Sequence, residues 1–395
     1  MSRAYWTEAA PDPRAFSFRA PRVLRCCFRQ PALDLEQQTR ENNGGRYIRA
    51  EQSLRIRTRS PAENGEASPM STPKRKKMRA AVLLSPRQFE LREIEVPEPA
   101  SDEVRMKVEY CGICSSNLAP WKGAPWFSYP FPAGAPGHES VGIVEQIGPK
   151  VTDLEVGARV SMLGNNGFAE YQIANAQCVV PISSGRHQAP FLGEPLGCAI
   201  NIFRRAQVQK DDWLAIVGIG FLGNILLQLS LGVGARVIAI GRRESALRAA
   251  EKMGATLALS SENRAGLLSA VRNATGQMLC NVVIEAGGAQ ETLDIASDLT
   301  GTRGRLVVAG YHQDGPRSVN MQEWNWRGID VINAHEREEK VYVQGIRAAA
   351  QAVAETRIRL DELVSHFFPL DQIEEGFRTV ERRPEGFIKG VVSLG

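Results

Sequence analysis

The sequence lacks the features of a membrane-spanning or disulfide-rich secreted protein. Across its 395 residues no apolar run approaches the ~20 residues needed to cross a bilayer, and the N-terminus has no apolar core of a secretory signal. The seven cysteines are scattered and odd in number, which is typical of reduced thiols in the cytosol. We therefore predict a soluble, cytoplasmic protein that has no membrane partner.

A strong excess of one charge is also missing from most of the chain. The formal net charge is +4, but residues 1–78 carry 16 Lys and Arg against 8 Asp and Glu. The other 32 basic and 36 acidic residues lie in 79–395. Proteins that bind nucleic acid concentrate positive charge on their folded surface, so this mildly acidic part argues against a nucleic-acid partner.

Residues 1–77 have no sustained helical or strand period. They are rich in Arg, Pro, Ser, Asn and Gln and end in Ser-Thr-Pro-Lys-Arg-Lys-Lys, which predicts a disordered basic extension. Three interpretations compete: a targeting segment, an interaction arm, or reading frame upstream of a natural start at Met78. The eight acidic residues disfavour an organellar transit peptide, and we favour the third interpretation.

From Met78 onward the pattern changes twice along the chain. Short strands with Gly and Pro turns continue to about 185 and predict a barrel-like unit; the first are at 79–84, 89–95 and 103–110. After about 200, apolar strands alternate with helices, which predicts a doubly wound parallel sheet. The predicted strands there are 213–218, 236–240, 281–285, 305–309 and 330–334, and the predicted helices include 221–232, 244–253 and 289–298.

A glycine pattern follows the first of these apolar strands. Gly218, Gly220 and Gly223 form G-x-G-x-x-G between a strand and a helix, the context in which this pattern predicts a dinucleotide site. The glycines allow a tight turn, close approach of a pyrophosphate and packing of helix on strand. We predict that all three residues bind the cofactor.

The end of the next strand predicts which cofactor is bound. Sites for NAD place Asp or Glu there to hold the ribose 2′-hydroxyl, whereas this chain has Arg242 and Arg243. Guanidinium groups suit a 2′-phosphate and cannot accept a hydrogen bond from a hydroxyl. NADP(H) is therefore predicted over NAD(H); the alternative is that both arginines lie in a solvated turn.

Three further motifs carry a family resemblance. Residues 111–119 read Cys-Gly-Ile-Cys-Ser-Ser-Asn-Leu-Ala, 137–139 read Gly-His-Glu, and 194–198 read Glu-Pro-Leu-Gly-Cys. With the glycine pattern, residues 79–395 resemble the zinc-containing medium-chain alcohol dehydrogenases, specifically the polyol and threonine dehydrogenase branch. The resemblance implies an α/β fold, in which a Rossmann sheet is joined to a β-rich, chaperonin-10-like catalytic domain. The implied domains are 78–200 for the catalytic part, completed by about 340–395, and 201–340 for the dinucleotide-binding part.

The resemblance implies a catalytic zinc held by Cys114, His138 and Glu194. Three protein ligands and one open position are what a catalytic zinc requires. Glu139 would lie beside the metal and assist ligand exchange, and Cys198 could compete with Glu194 as the third ligand. Lys389 matches a basic residue that contacts the cofactor pyrophosphate.

The sequence departs from the family pattern at several positions. The lobe of four closely spaced cysteines that binds a structural zinc is absent, so we expect one zinc per chain. Asn117 replaces the usual Asp that supports the ligand histidine, which should make His138 a weaker donor. Ala119 replaces a proton-shuttling histidine, so Ser116 is the predicted proton acceptor.

The predicted function is hydride transfer between NADP(H) and a secondary alcohol or polyol, or the corresponding carbonyl. One alternative is a zinc-free NADPH quinone or enoyl reductase, and another is a catalytically silent NADPH-binding protein. Aromatic residues at 121–131 border the substrate cleft in the family, but such a Pro-rich segment can also pack on itself. His335 is either a cleft residue or structural. A homodimer or homotetramer is expected.

Overall fold

The structure is a computed structural model that describes residues 76–182 and 189–395. The predicted disordered extension, residues 1–77, lies outside the described residues except for its last two. Its disorder and the three interpretations of its role therefore stay predictions. The remaining predictions of strands and helices fall on residues that the structure describes.

Strands dominate the first part of the described chain, and strands alternate with helices in the second. The strands are β1 (Lys77–Ser85), β2 (Gln88–Glu95), β3 (Glu103–Gly112), β4 (Glu139–Ile147), β5 (Arg159–Met162), β6 (Tyr171–Asn175), β7 (Val179–Pro181), β8 (Trp213–Val217), β9 (Arg236–Gly241), β10 (Leu257–Ser260), β11 (Cys280–Glu285), β12 (Thr300–Val308), β13 (Asp330–Asn333), β14 (His366–Pro369) and β15 (Gly390–Ser393). The α-helices are α1 (Leu118–Lys122), α2 (Gly193–Ala206), α3 (Phe221–Gly232), α4 (Glu244–Lys252), α5 (Arg264–Ala274), α6 (Gln290–Leu299), α7 (Met321–Arg327), α8 (Glu339–Ala354) and α9 (Ile373–Arg382).

The first large sheet is built around β3. The strand order is β14-β15-β3-β4-β5-β7, and β6 also pairs with β3. Val104, Met106 and Val108 of β3 are fully buried, as the alternating pattern predicts. At its other end β3 pairs antiparallel with β15, so the last strand lies beside one of the first. The strands β1 and β2 form a separate antiparallel hairpin.

The second large sheet is parallel throughout and has the order β10-β9-β8-β11-β12-β13. Its central strand β8 is buried on both faces, which explains the uninterrupted apolar run in the sequence. The chain moves outward in one direction from β8 to β10 and in the other from β11 to β13. Ligands of such sheets bind beyond the carboxyl ends of the strands at this point of reversal. The predicted doubly wound parallel sheet is confirmed.

The parallel sheet also contains an element that the sequence analysis did not identify. The edge strand β10 was missed, and β12 begins at Thr300, five residues before the predicted strand. β10 is short and only half-buried, and its apolar run comprises only Leu257, Ala258 and Leu259. The early part of β12 pairs irregularly with β11, since the register shifts between Cys280 and Val282.

Helices α2 and α8 connect the two sheets. One hydrophobic cluster contains Val141 of β4, Leu196 of α2, Leu214 of β8 and Ile346 of α8. A Cβ atom on Gly197 would lie 3.0 Å from the backbone nitrogen of Ile346, so the glycine permits close contact of the two helices. This packing fixes α2, and with it the predicted ligand on its first turn, against the first sheet.

No helix among the described residues is long and apolar enough to cross a membrane.

Candidate active site

The loop after β8 has the backbone shape that the glycine pattern predicts. Gly218 has a φ of 111°, which L side chains rarely adopt. A Cβ atom on Gly223 would lie 2.4 Å from the carbonyl oxygen of Gly218, so a larger residue would displace α3 from β8. At Gly220 no described heavy atom lies within 4 Å of the Cβ position. The loop therefore leaves room for a phosphate at the N-terminus of α3.

The two arginines after β9 have different environments. Arg242 is exposed and forms no ion pair with a carboxylate of the described residues. Arg243 is half-buried at the N-cap position of α4 and donates a hydrogen bond to the carbonyl oxygen of Phe387. Burial lowers the pKa of Arg243, and the charges of Arg383 and Arg242 contribute to the same shift. Of the predicted pair, Arg242 is therefore the one whose guanidinium is available to a ligand.

The first sheet brings together three potential metal ligands. Cys114 follows β3, while His138 directly precedes β4 and Glu139 begins it. The pairing of Gly112 with Glu139 in adjacent strands places these segments side by side. The ligand atoms of the three side chains lie within 4.8 Å of one another, and no other such group occurs in the described part of the chain.

Hydrogen bonds fix the orientation of the His138 ring. Its Nδ1 lies 3.0 Å from the carbonyl oxygen of Pro136, and a proton on Nδ1 leaves the lone pair of Nε2 for a metal. Asn117 donates from Nδ2 to the same carbonyl oxygen at 2.9 Å and accepts from the backbone nitrogen of Cys114 at 3.0 Å. Asn117 therefore ties the segment of Cys114 to that of His138.

The surroundings of His138 are strongly anionic. Burial alone would lower the pKa of His138, but the hydrogen bond to Cys114 and the charges of Cys114, Glu194 and Glu139 outweigh it and raise the pKa to about 10. Burial also raises the pKa of Glu194. A cation among these groups would relieve both the burial of charge and the mutual repulsion of the acids.

The two carboxylates near His138 have different partners. Glu139 is fully buried and accepts a hydrogen bond from Nζ of Lys389 at 2.7 Å. Glu194, on the first turn of α2, accepts one from the thiol of Cys198 at 3.2 Å, four residues along the helix. An ammonium group neutralises Glu139, whereas a thiol is a weak donor that leaves Glu194 its charge. The predicted third ligand, Glu194, is therefore the carboxylate that forms no ion pair with a lysine or arginine of the described residues.

Lys389 lies near the dinucleotide loop, but its charge is already paired. Its Nζ is 5.2 Å from the ring centre of Phe221, the first residue of α3, and only 6% of the residue is exposed. Burial works against its charged form, yet the charges of Glu139 and Cys114 outweigh this and raise its pKa. The predicted contact with a pyrophosphate would therefore compete with Glu139.

The turn after Cys114 contains one predicted and one unpredicted site residue. Ser116 is half-buried in the short turn Ser115–Asn117. The neighbouring Ser115 accepts a hydrogen bond at 2.9 Å from Nη2 of Arg383, a residue at the end of α9. The sequence analysis did not single out Arg383, because nothing in the local pattern distinguishes it from the adjacent Arg382.

The aromatic segment 121–131 is partly core. Trp121 is fully buried with its ring centre 5.2 Å from that of Phe377, whereas Trp126 is 43% exposed. Trp121 is thus a packing residue.

His335 stacks on Tyr311, with ring centres 5.4 Å apart, and burial lowers the pKa of His335.

Comparisons with known proteins agree with this arrangement. The model of the alcohol dehydrogenase GroES-like domain matches residues 100–184, and that of the zinc-binding dehydrogenases matches residues 222–351. D-arabitol-phosphate dehydrogenase from Enterococcus avium is 25% identical over 321 residues, which are 73% of this chain and 89% of that protein. Erythritol/L-threitol dehydrogenase from Mycolicibacterium smegmatis is 27% identical over 364 residues, which are 79% of this chain and 96% of that protein.

A solved structure is similar along its whole length. A putative zinc-binding dehydrogenase from Sinorhizobium meliloti, bound to NADP, has a TM-score of 0.71 and is 26% identical. The match covers 81% of this chain and 100% of that chain. The predicted combination of a Rossmann sheet with a GroES-like, that is chaperonin-10-like, catalytic part is confirmed.

Proposed function

Because the chain belongs to the zinc-type medium-chain alcohol dehydrogenase family, we propose that it transfers hydride between NADP(H) and a secondary alcohol or polyol, or the corresponding carbonyl. The observation that carries the proposal is the convergence of Cys114 and His138 with the buried carboxylate of Glu139. Its substrate partner is a small molecule, and assembly into a homodimer or homotetramer is part of the proposal.

The donor set fits one catalytic zinc. Thiolate, imidazole and carboxylate are all zinc ligands, and the His138 tautomer leaves Nε2 free. We assign Cys114, His138 and Glu194 as the ligands, since Lys389 already neutralises Glu139. Glu139 keeps the role of a neighbouring carboxylate that can exchange with a ligand, and Cys198 that of the donor to Glu194 rather than of a competing ligand.

The residues around the glycine loop fit a dinucleotide with a 2′-phosphate. The open space at Gly220 and the left-handed Gly218 suit a pyrophosphate, and the exposed, unpaired Arg242 suits the 2′-phosphate. The residues at the end of β9, Gly241 to Arg243, include no carboxylate that could accept a hydrogen bond from a ribose hydroxyl. The NADP bound to the similar Sinorhizobium meliloti structure supports this preference.

When bound, zinc would supply Lewis acidity toward the alcohol oxygen, and the dinucleotide would accept or give the hydride. The chain's own residues then have two tasks. Asn117 and the Pro136 carbonyl oxygen hold His138 in one tautomer. Ser116 accepts the alcohol proton at Oγ and passes it toward the cofactor ribose and water, since Ala119 has no proton-carrying group.

The polyol part of the proposal is supported by named relatives. The similar proteins from Enterococcus avium and Mycolicibacterium smegmatis are named for arabitol phosphate and for erythritol and threitol. A glutamate at the position of the third ligand is also a feature by which this sequence resembles the polyol branch of the family. A panel of secondary alcohols and polyols, with and without phosphate groups, is therefore the appropriate search.

The test is zinc content and activity of protein purified without chelator. We expect about one zinc per chain in the wild type and loss of zinc in Cys114→Ala, because a thiolate ligand is removed. The matched control is Cys280→Ala, which removes a buried thiol from β11 of the parallel sheet and should keep the zinc. Absence of zinc from the wild type would contradict the proposal and favour a zinc-free reductase of C=C bonds.

A further inference from the structure

An arginine from the end of α9 lies beside the metal-binding segment. Arg383 follows the last residue of α9 and has a φ of 48°. Its Nη2 donates a hydrogen bond to Oγ of Ser115 at 2.9 Å, and Ser115 directly follows Cys114. Arg383 thereby links the C-terminal end of α9 to the segment that contains Cys114.

The residues after Arg383 reach the other side, at the end of β9. The backbone nitrogen of Gly386 donates to Oγ of Ser245 at 3.2 Å, and Glu385 forms an ion pair with Arg248 at 2.7 Å. Phe387 accepts a hydrogen bond from Arg243. The contacts of residues 385–387 therefore keep Arg383 between the turn that follows Cys114 and the end of β9.

Three guanidinium groups lie close enough there for their charges to act on one another. Arg242, Arg243 and Arg383 form no ion pair with any acidic side chain in the described ranges. Glu385, which acts on Arg243, is itself paired with Arg248. Burial and the charge of Arg242 lower the pKa of Arg383, and the charge of Cys114 only partly offsets this shift. Such a group of like charges would be stabilised by an anion.

The proposed dinucleotide runs through this position. Its adenosine end would lie at Arg242, its pyrophosphate at Gly218 to Gly223, and its reacting end near Cys114. Lys389 pairs with a buried carboxylate, whereas the side chain of Arg383 forms a hydrogen bond to a hydroxyl and no ion pair with a carboxylate of the described residues. We propose that Arg383 binds a phosphate group of the dinucleotide from the catalytic side of the cleft, an inference that rests on the proposed function.

The test is direct binding of NADP⁺ and NAD⁺ by calorimetry, with Arg383→Gln against the wild type. Glutamine can still donate to Ser115 but loses the charge. Since a hydrogen bond to a charged group contributes about 1.5–3 kcal/mol, we expect binding at least about tenfold weaker. Loss confined to NADP⁺ identifies the 2′-phosphate as the partner, and loss for both cofactors identifies the pyrophosphate. Unchanged affinity for both cofactors overturns the inference.

The matched control is Arg382→Gln. This neighbour is exposed and pairs with Glu375 on its own helix, so both affinities should stay at the wild-type value. If Arg383→Gln lowers stability, Arg383→Lys restores the charge and should bind more tightly than Arg383→Gln; equal binding contradicts the inference. A wild type that binds neither dinucleotide would instead refute the proposed function.

Discussion

The buried pair of Lys389 and Glu139 provides a quantitative test of the site. Glu139 is fully buried and Lys389 is 6% exposed, with Nζ and Oε1 2.7 Å apart. Removing one partner of such a pair leaves an uncompensated buried charge and typically costs about 3–5 kcal/mol. We therefore expect Lys389→Met and Glu139→Gln each to lower the free energy of unfolding by about that amount.

A double variant separates the interaction energy of the pair from the contributions of the two side chains alone. Lys389→Met with Glu139→Gln contains no buried charge at this position, so it should lose only about 1–2 kcal/mol, mainly for an imperfectly bonded amide. The costs of the single variants would then exceed that of the double variant, which gives a large favourable coupling. An additive pattern, in which the double variant loses the sum of both, would refute the assignment of a coupled buried pair.

The assay is urea unfolding of zinc-free protein, prepared with chelator so that no metal beside Glu139 replaces the ammonium. Midpoints are compared at equal slopes, because a changed slope signals a changed unfolding transition. The matched control is Lys252→Met. Its ammonium lies 2.6 Å from Glu362, but the side chains are 69% and 52% exposed, so the expected loss is at most about 1 kcal/mol.

Two further predictions concern the cofactor loop and the third ligand. Gly223→Ala should weaken binding of NADP⁺ at least about tenfold in a calorimetric titration, because the new Cβ would displace α3, whereas Gly232→Ala has open space and should not. Cys198→Ala removes the hydrogen bond to Glu194 and should lower zinc affinity about tenfold in a competition assay with a chelating dye. Unchanged zinc affinity would assign Cys198 to packing alone.

The fold was predictable where the sequence pattern is strong and local. The run before Gly218 is buried on both sides, so its apolar composition marked β8, and the glycines marked the turn. The half-buried β10 carries no such signal and was missed. Local pattern is therefore most informative for a strand that is buried on both faces.

The site was predictable as a set of residues but not as a set of partners. The family resemblance implied a metal site at Cys114 and His138, and the structure brings these two side chains together. The pairing of Lys389 with Glu139 and the position of Arg383 depend on contacts between residues that are far apart in sequence, which no local pattern contains. Lys389 was therefore predicted to contact a phosphate, while the buried ion pair was not foreseen.

The pairing of β15 with β3 has a consequence for biosynthesis. The partner of Glu139 is made 250 residues after it, and the strand that follows Lys389 is needed to complete the first sheet. Contacts of such long sequence separation form late and slowly, while domains generally begin to fold from the N-terminal side during synthesis. The nascent chain therefore exposes Cys114, His138 and an unpaired Glu139 throughout the synthesis of the parallel sheet. A ribosome stalled before Lys389 would display a nearly complete protein in which Glu139 still lacks its counterion.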